Sequence, residues 1–390
     1  MRPPPKVPSI IEYFQERSDS MLEELRGFVE LETPTRDAGR IESFVAAYSS
    51  LLDEAGLACR QFPGPLGPQL LGELPGEDPP IVLVGHCDTV WPVGVIGERP
   101  VEVREGKFFG PGAYDMKAGL CIALGVTRFL RDTGHSLRRR LQVFVAADEE
   151  SGGTTGHPCM DDALSPGSTA LVVEPPCPDG AVKVRRKGVG IYELKISGRE
   201  AHAGVEPERG ISAVDELARL VLEIHGWNDP VRGIQLNVGT VVGGTAGNVV
   251  AGSAAAGVDL RFDLAADGEE MERRLLALEP ANPGASLEVD GSLCFPPLVP
   301  TPETLRLGEK ACSIASELGL EISTGSSGGG SDGSYLSSKG HLVLDGMGVE
   351  GGGAHALDEH IVLESLPVRA ALLTGMVLAV DEDGLEAPKA

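Results

Sequence analysis

The sequence predicts an α/β fold in which a mostly parallel sheet, with helices on both faces, is interrupted by a smaller inserted domain. Three observations carry this. Short, nearly continuous apolar runs at residues 81–84, 141–147, 169–173 and 342–344 read as strands covered on both faces, because a strand with one wet face would alternate. Segments of helical period at 8–31, 40–55, 118–131, 304–318 and 363–379 separate or flank these runs. From residue 187 the texture changes to alternating strands and amphipathic helices in the order β-α-β-β-α-β, that of a ferredoxin-like unit. The expected organisation is residues 1–186 and 298–390 as two parts of one domain, with 187–297 inserted between them.

Composition narrows the function. The chain has 390 residues, long enough to bury a large core, and its 42% apolar and 23% charged residues are those of an ordinary globular protein. Its net charge of −25, from 33 basic and 58 acidic residues, opposes general attraction to nucleic acid or an anionic membrane, so neither is expected as a partner. Seven cysteines, an odd number with no C-x-x-C pair, suggest neither a disulfide framework nor a thiolate metal site. The start, MRPPPKVPSIIEYF, has three consecutive prolines and no apolar stretch of signal-peptide length, and no later segment is long and apolar enough to span a bilayer. A cytoplasmic location is expected.

Taken in order, the chain begins with two covering helices, carrying Ile11, Phe14, Met21, Leu25 and Phe28, then Phe44, Val45, Tyr48 and Leu52. A break at 63–68 precedes a short strand at 70–73 and the buried strand at 81–84, which runs into Gly85, His86, Cys87 and Asp88. A histidine and an aspartate at i and i+2 can place a neutral imidazole on a metal while the carboxylate fixes its tautomer. A Gly-rich turn, GPGAYDMK, then puts Asp115 just ahead of the 118–131 helix. The 141–147 strand ends abruptly in Asp148, Glu149 and Glu150, whose mutual repulsion a cation would resolve, and the 169–173 strand ends in Glu174. Singly, these are a hydrogen-bonded turn, an N-cap and a solvated acidic loop. In series they put metal-type side chains at one edge of a parallel sheet, where α/β proteins bind ligands.

The inserted segment reads as strands at 189–197, 234–242, 254–263 and 286–289, with helices at 211–225 and 269–278. Beyond it, residues 324–334 (TGSSGGGSDGS) read either as a flexible linker or as a phosphate cradle that lacks the lysine of a Walker loop. Gly351, Gly352, Gly353, Ala354 and His355 precede the closing helix.

Together the stretches GHCDTV, GAYDMK, DEESG, Glu174 after its strand, AHAG, GGGSD and the late His355 resemble a family of dinuclear-zinc metallohydrolases. That family includes bacterial glutamate carboxypeptidase, acetylornithine deacetylase, succinyl-diaminopimelate desuccinylase and aminoacylase. The resemblance covers nearly the whole chain. It implies a zinc-peptidase-type fold holding two Zn²⁺ per subunit, with Co²⁺ or Mn²⁺ as substitutes; carboxylates and imidazoles without thiolates suit such a pair. His86 and Glu174 would hold one ion, Glu150 and His355 the other, and Asp115 would bridge them. Asp88 would orient His86, and Glu149 would be the base that takes a proton from water and passes it to the leaving amine. A non-proline cis peptide is implied at Asp115-Met116. The inserted domain would be a lid and the surface of a homodimer, with His202 of AHAG stabilising the oxyanion in the neighbouring subunit's site. Arg261, Asn248 and Gly330 match positions that contact substrate. Of the remaining histidines, His360 competes with His355, while His135, His157, His225 and His341 read as structural or surface.

The segments GHCDTVWP, Arg186-Lys187-Gly188 and GGGSD look most like the glutamate carboxypeptidase type. A carboxypeptidase is therefore expected, releasing a C-terminal amino acid such as glutamate from a small peptide or N-acyl amino acid. An N-acyl-amino-acid deacylase of the acetylornithine or succinyl-diaminopimelate kind is the alternative within enzymes. A non-catalytic binding protein, which could dispense with Glu149, is the alternative outside them. Arg185, Arg186, Lys187, Arg199 and Arg209 either favour an anionic substrate or are ordinary solvated charge.

Overall fold

The computed structural model describes residues 7–384. The prolines at Pro3, Pro4 and Pro5 lie outside them. The chain divides into two compact units: one holds the chain up to Arg185, Pro300–Ser327 and the chain from Ser331 onward, and the other holds Arg186–Val299 with Gly328–Gly330.

The first unit is built on a six-stranded sheet in the order Ala58–Phe62, Gln69–Leu74, Arg139–Ala146, Glu77–His86, Thr169–Val172, Leu342–Leu344. The first two pairings are antiparallel and the other three parallel, so the sheet is mixed, with a parallel core. The apolar runs resolve into two faces. Ile81, Leu83, Leu141, Val143, Val145 and Leu171 join the large core under the helices Ala38–Glu54, Ala118–Thr133, Pro302–Glu317 and Ser365–Asp383. Val82, Val84, Phe144 and Val172, equally buried, alternate with them and point to the opposite face, where Gly156–Ala163 and Asp332–Ser338 lie.

Register fixes the working edge. His86 pairs with Ala146 and Val84 with Val172, so the parallel strands end together, and Glu149, Glu150 and Glu174 follow within a few residues. The helix Ala118–Thr133 packs so closely across this edge that a Cβ on Gly119 would lie 2.0 Å from the Val173 carbonyl oxygen.

Several boundaries differ from expectation. The 8–31 helix is two helices, Val7–Gln15 and Ser18–Glu30: Arg17 leaves helical geometry (φ −110°, ψ 5°), and its guanidinium stacks on the Tyr13 ring while donating to the Tyr13 carbonyl. The Gly/Ser stretch is ordered. Thr324–Ser327 pairs with Val182–Arg186, and Ser331 caps the helix Asp332–Ser338. A small antiparallel sheet also forms in the order Gly351–Gly352, His360–Val362, Lys107–Phe109, Glu102–Arg104. It joins the Gly-rich turn before Asp115 to the loop that carries His355.

The second unit is a four-stranded antiparallel sheet in the order Gln235–Gly243, Ser253–Phe262, Gly188–Ser197, Ser286–Phe295, with the helices Ala213–His225 and Ala265–Leu276 packed on one face. Tyr192, Leu194, Ile196, Leu217, Leu220 and Met271 form its core. After three buried residues at its start, Gly188–Ser197 alternates strictly, burying Tyr192, Leu194 and Ile196 while Ile191 and Lys195 face out.

Candidate metal centre

His86 is the last residue of its strand and is 1% exposed. Its Nδ1 lies 3.0 Å from the Asp88 carbonyl oxygen and 3.3 Å from the Asp88 carboxylate. A carbonyl can only accept, so Nδ1 carries a proton, and once the ring is neutral its lone pair lies on Nε2. That Nε2 is buried without a hydrogen-bond partner, yet Asp115 Oδ1 and Glu174 Oε1 each stand 3.3 Å away. An orphaned imidazole nitrogen facing two carboxylates fits a divalent cation.

Asp88 does more than orient the imidazole. Its carboxylate accepts from the main-chain N–H groups of Glu149 and Glu150, both at 3.2 Å, and from the Thr35 hydroxyl at 2.8 Å. The turn that follows is held by Asp148, which accepts from the N–H groups of Thr155 (2.7 Å) and Gly156 (2.9 Å). Asp148 therefore serves the loop, while Glu149 and Glu150 face the cluster.

On the other side, His355 Nε2 lies 3.3 Å from Asp115 Oδ2 and 3.2 Å from Glu150 Oε1. Asp115 thus has one oxygen toward His86 and the other toward His355, the placement a bridging carboxylate requires. Its peptide to Met116 is cis. His360 does not compete: its ring packs against Phe109 and its Nδ1 lies 2.7 Å from the Asp358 carbonyl oxygen. Ligand-capable atoms of His86, Asp115 and Glu150 lie within 4.8 Å of one another, and so do those of His86, Glu149 and Glu174. Distance alone leaves Glu149 able to reach an ion; its role must come from chemistry.

The electrostatics are those of a site awaiting positive charge. Burial pushes the Glu149 and Glu150 carboxyls up. Burial pushes His86 down, but Asp115, Asp88 and Glu174 outweigh it and hold the imidazolium well above its ordinary range. Hydrogen bonds to Asp115 and Glu150 raise His355 to about 10. A cation must displace these protons, so its binding should release protons at pH 7 and weaken as pH falls. Calorimetric zinc titrations in buffers of different ionisation enthalpy measure this, and an uptake with no proton release would remove His355 from the ligand set.

The remaining candidates lie in the second unit. His202 is exposed, and its Nδ1 accepts from the Gly204 N–H at 3.1 Å, which leaves the proton of a neutral ring on Nε2 as a donor. Asn248 is beside it, its carbonyl accepting from the Ala203 N–H at 2.9 Å. Arg261 is engaged by Asp259 in a two-pronged pair (2.8 and 2.7 Å) and donates to the Gly328 carbonyl at 3.2 Å. The Gly330 carbonyl accepts from Arg186 at 2.8 Å, and a Cβ there would lie 2.6 Å from the Phe295 ring. Of the basic cluster, Arg186 is buried and donates to the Gly329 and Gly330 carbonyls, Lys187 pairs with Asp263, and Arg209 pairs with Glu206. These three are structural partners rather than a free anion trap.

The profile of Peptidase family M20/M25/M40 matches residues 82–379. The chain belongs to that family. M20 proteins are metallopeptidases and related amidohydrolases that typically bind a metal pair, which agrees with the clustered donors found here. Carboxypeptidase G2 of Pseudomonas sp. (strain RS-16) is 25% identical over 382 residues, covering 94% of this chain and 91% of its own. A succinyl-diaminopimelate desuccinylase of Methylorubrum extorquens (strain PA1) is 30% identical over 324 residues, covering 77% of this chain and 82% of its own. Among solved structures, a tripeptidase from Staphylococcus aureus superposes with a TM-score of 0.76 at 21% identity, covering 93% of this chain and 98% of that one. No helix among the described residues is long and apolar enough to cross a membrane.

One residue of this M20 site escaped the sequence reading. Glu359, four positions after His355, is fully buried at the head of the small sheet, and burial raises its carboxyl to about 7. The only sequence signal was its place in the same loop as a candidate ligand.

Proposed function

We propose that the chain is a dizinc carboxypeptidase, hydrolysing the amide that joins a C-terminal amino acid, glutamate among the candidates, to a peptide or acyl group. The observation that carries this is Glu149: a buried carboxylate beside the five donors His86, Asp115, Glu150, Glu174 and His355, and not needed to complete them. His86 and Glu174 would hold one ion, Glu150 and His355 the other, with Asp115 shared. Bound there, the ions would supply an acidified water and a polarised substrate carbonyl. Glu149 takes the proton of the attacking water as the new C–O bond forms and delivers it to the amine as the C–N bond breaks. Asp88 keeps His86 in its tautomer and fixes the Glu149 main chain. His202 Nε2–H supplies a donor for the oxyanion, and Asn248, Arg261 and Gly330 contribute to the substrate-binding surface.

The same site would serve a deacylase, the reading that the desuccinylase relative favours. A panel of N-acyl glutamates, dipeptides, N-acetylornithine and N-succinyl-diaminopimelate, with the zinc-loaded protein and amino acid release followed by mass spectrometry, separates them. Release of C-terminal glutamate in preference to acetate or succinate is expected. The reverse order would assign the chain to the deacylases.

The lid reading extends to a homodimer. Leu222 on the Ala213–His225 helix and Val241 and Val242 on the edge strand Gln235–Gly243 are exposed apolar residues on the second unit, as a two-fold interface requires. If His202 acts in the partner's site, exchanging subunits between inactive His202→Ala and Glu149→Gln homodimers makes half of the dimers mixed, each with one complete site. Activity should then recover to about a quarter of wild type. Mixed dimers that stay as inactive as their parents would place His202 outside the partner's site.

A further inference from the structure

Among the described residues Glu359 makes no ion pair, with Lys117 close enough only to feel its charge, yet its buried carboxylate is saturated. Oε2 accepts from the Trp91 indole N–H at 2.7 Å and the Gly112 main-chain N–H at 2.8 Å. Oε1 accepts from the main-chain N–H groups of Tyr114 at 3.0 Å and Asp115 at 3.1 Å. Four donors fill the four lone-pair positions of a carboxylate. Those donors come from two separate segments. Trp91 follows the strand that ends in His86 and the Asp88 beyond it; Gly112, Tyr114 and Asp115 form the turn of the expected bridging ligand. Glu359 itself follows the loop of His355. A further tie runs through the main chain, where the Gly110 N–H donates to the Glu359 carbonyl at 3.3 Å.

We propose that Glu359 is a positioning residue of the metal pair, setting the distance between the Asp115 turn and the His355 loop so that both can reach the ion shared with Glu150. This rests on the assignment of His86, Asp115, Glu150, Glu174 and His355 as ligands. The loop of His355 has local ties, from the Ala356 N–H to the Gly353 carbonyl at 2.8 Å, from the Glu359 N–H to the Ala356 carbonyl at 3.1 Å and from Arg99 to the Leu357 carbonyl, but none of these three reaches the Asp115 turn. A carboxylate anchored by four N–H groups ties the loop to that turn, and acts on the ligands through the backbone without touching an ion. Gln at 359 would turn an amide N–H₂ toward two donors, leaving at least one N–H of the Asp115 turn or the Trp91 pair without an acceptor.

The test is a competitive chelator titration of zinc into wild type, Glu359→Gln, Glu359→Asp and Trp91→Phe, with metal content by elemental analysis and thermal unfolding of each metal-free protein alongside. Wild type should bind two ions. Glu359→Gln should weaken the second, more labile ion by roughly 10–100-fold, the usual cost of losing an outer-sphere partner, and leave the first close to wild type. Glu359→Asp should fall between, and Trp91→Phe, which removes one donor of four, should show a smaller shift in the same ion. A purely structural role would lower the metal-free melting temperature and shift both ions together or neither; that result overturns the proposal. If Glu359→Gln fails to fold, Glu359→Asp and Trp91→Phe decide it, and unchanged affinities for both ions in the two variants overturn it equally. A wild-type protein that bound no ion pair would instead defeat the ligand assignment, which keeps the two failures apart.

Discussion

Glu149→Gln should keep both metal ions and lose turnover by on the order of 10²-fold or more, the usual worth of a general base. Glutamine matches glutamate in shape, so the main-chain bond from residue 149 to Asp88 survives. What disappears is the ability to take and return a proton. Burial favours the protonated form of Glu149 in the metal-free site, which is the character wanted of a group that must pass a proton on to an amine. Metal analysis and steady-state kinetics on the zinc-loaded variant decide the matter. A near-normal kcat would remove Glu149 from the chemistry. Loss of one ion would instead make it a ligand, the role its closeness to His86 and Glu174 also permits.

Asp115→Asn should be more damaging still. Its two oxygens face His86 and His355 separately, so one neutralised, half-donating side chain weakens both halves of the site. Occupancy should fall below two ions per chain. Losing the assistance of a metal ion forfeits several kcal/mol of transition-state stabilisation, and about 4 kcal/mol is roughly 10³-fold in rate. Excess zinc in the assay tests the cause, because activity restored at high zinc identifies lost affinity as the defect. Full occupancy and near-normal turnover would show that Asp115 does not bridge.

The chemistry was more legible than the architecture around it. Parallel strands end at one edge by geometry, so apolar runs terminating in His86, Glu149 and Glu174 announced a shared site before any coordinates were needed. His355 and Asp115 were reached through the family resemblance; no periodicity marks them. The hairpin Glu102–Arg104 with Lys107–Phe109 was missed because its strands are three residues long, the first of them wholly exposed, too short for alternation to register. Ala58–Phe62 was missed for a similar reason: as an edge strand with no buried residue it carries no apolar signal. Glu359 was invisible because its partners are main-chain N–H groups and one indole, and a carboxylate satisfied by backbone leaves no matching charge elsewhere in the sequence.

The split of the first unit has a consequence for synthesis. The second unit is contiguous apart from Gly328–Gly330, whereas the six-stranded sheet receives its edge strand Leu342–Leu344 only from chain made after that insertion. At about 5–20 residues per second, the 181 positions from Glu174 to His355 correspond to roughly 9–36 s on a ribosome. Throughout that interval the nascent chain displays His86, Asp115, Glu150 and Glu174 without the loop that brings His355 and Glu359. The second unit's sequence is complete while the first still lacks an edge, a ligand and a clamp. On the proposed ligand set, capture of an ion pair waits until His355 and Glu359 have been made, because a chain arrested before residue 355 carries the acids of the site without the loop that completes it.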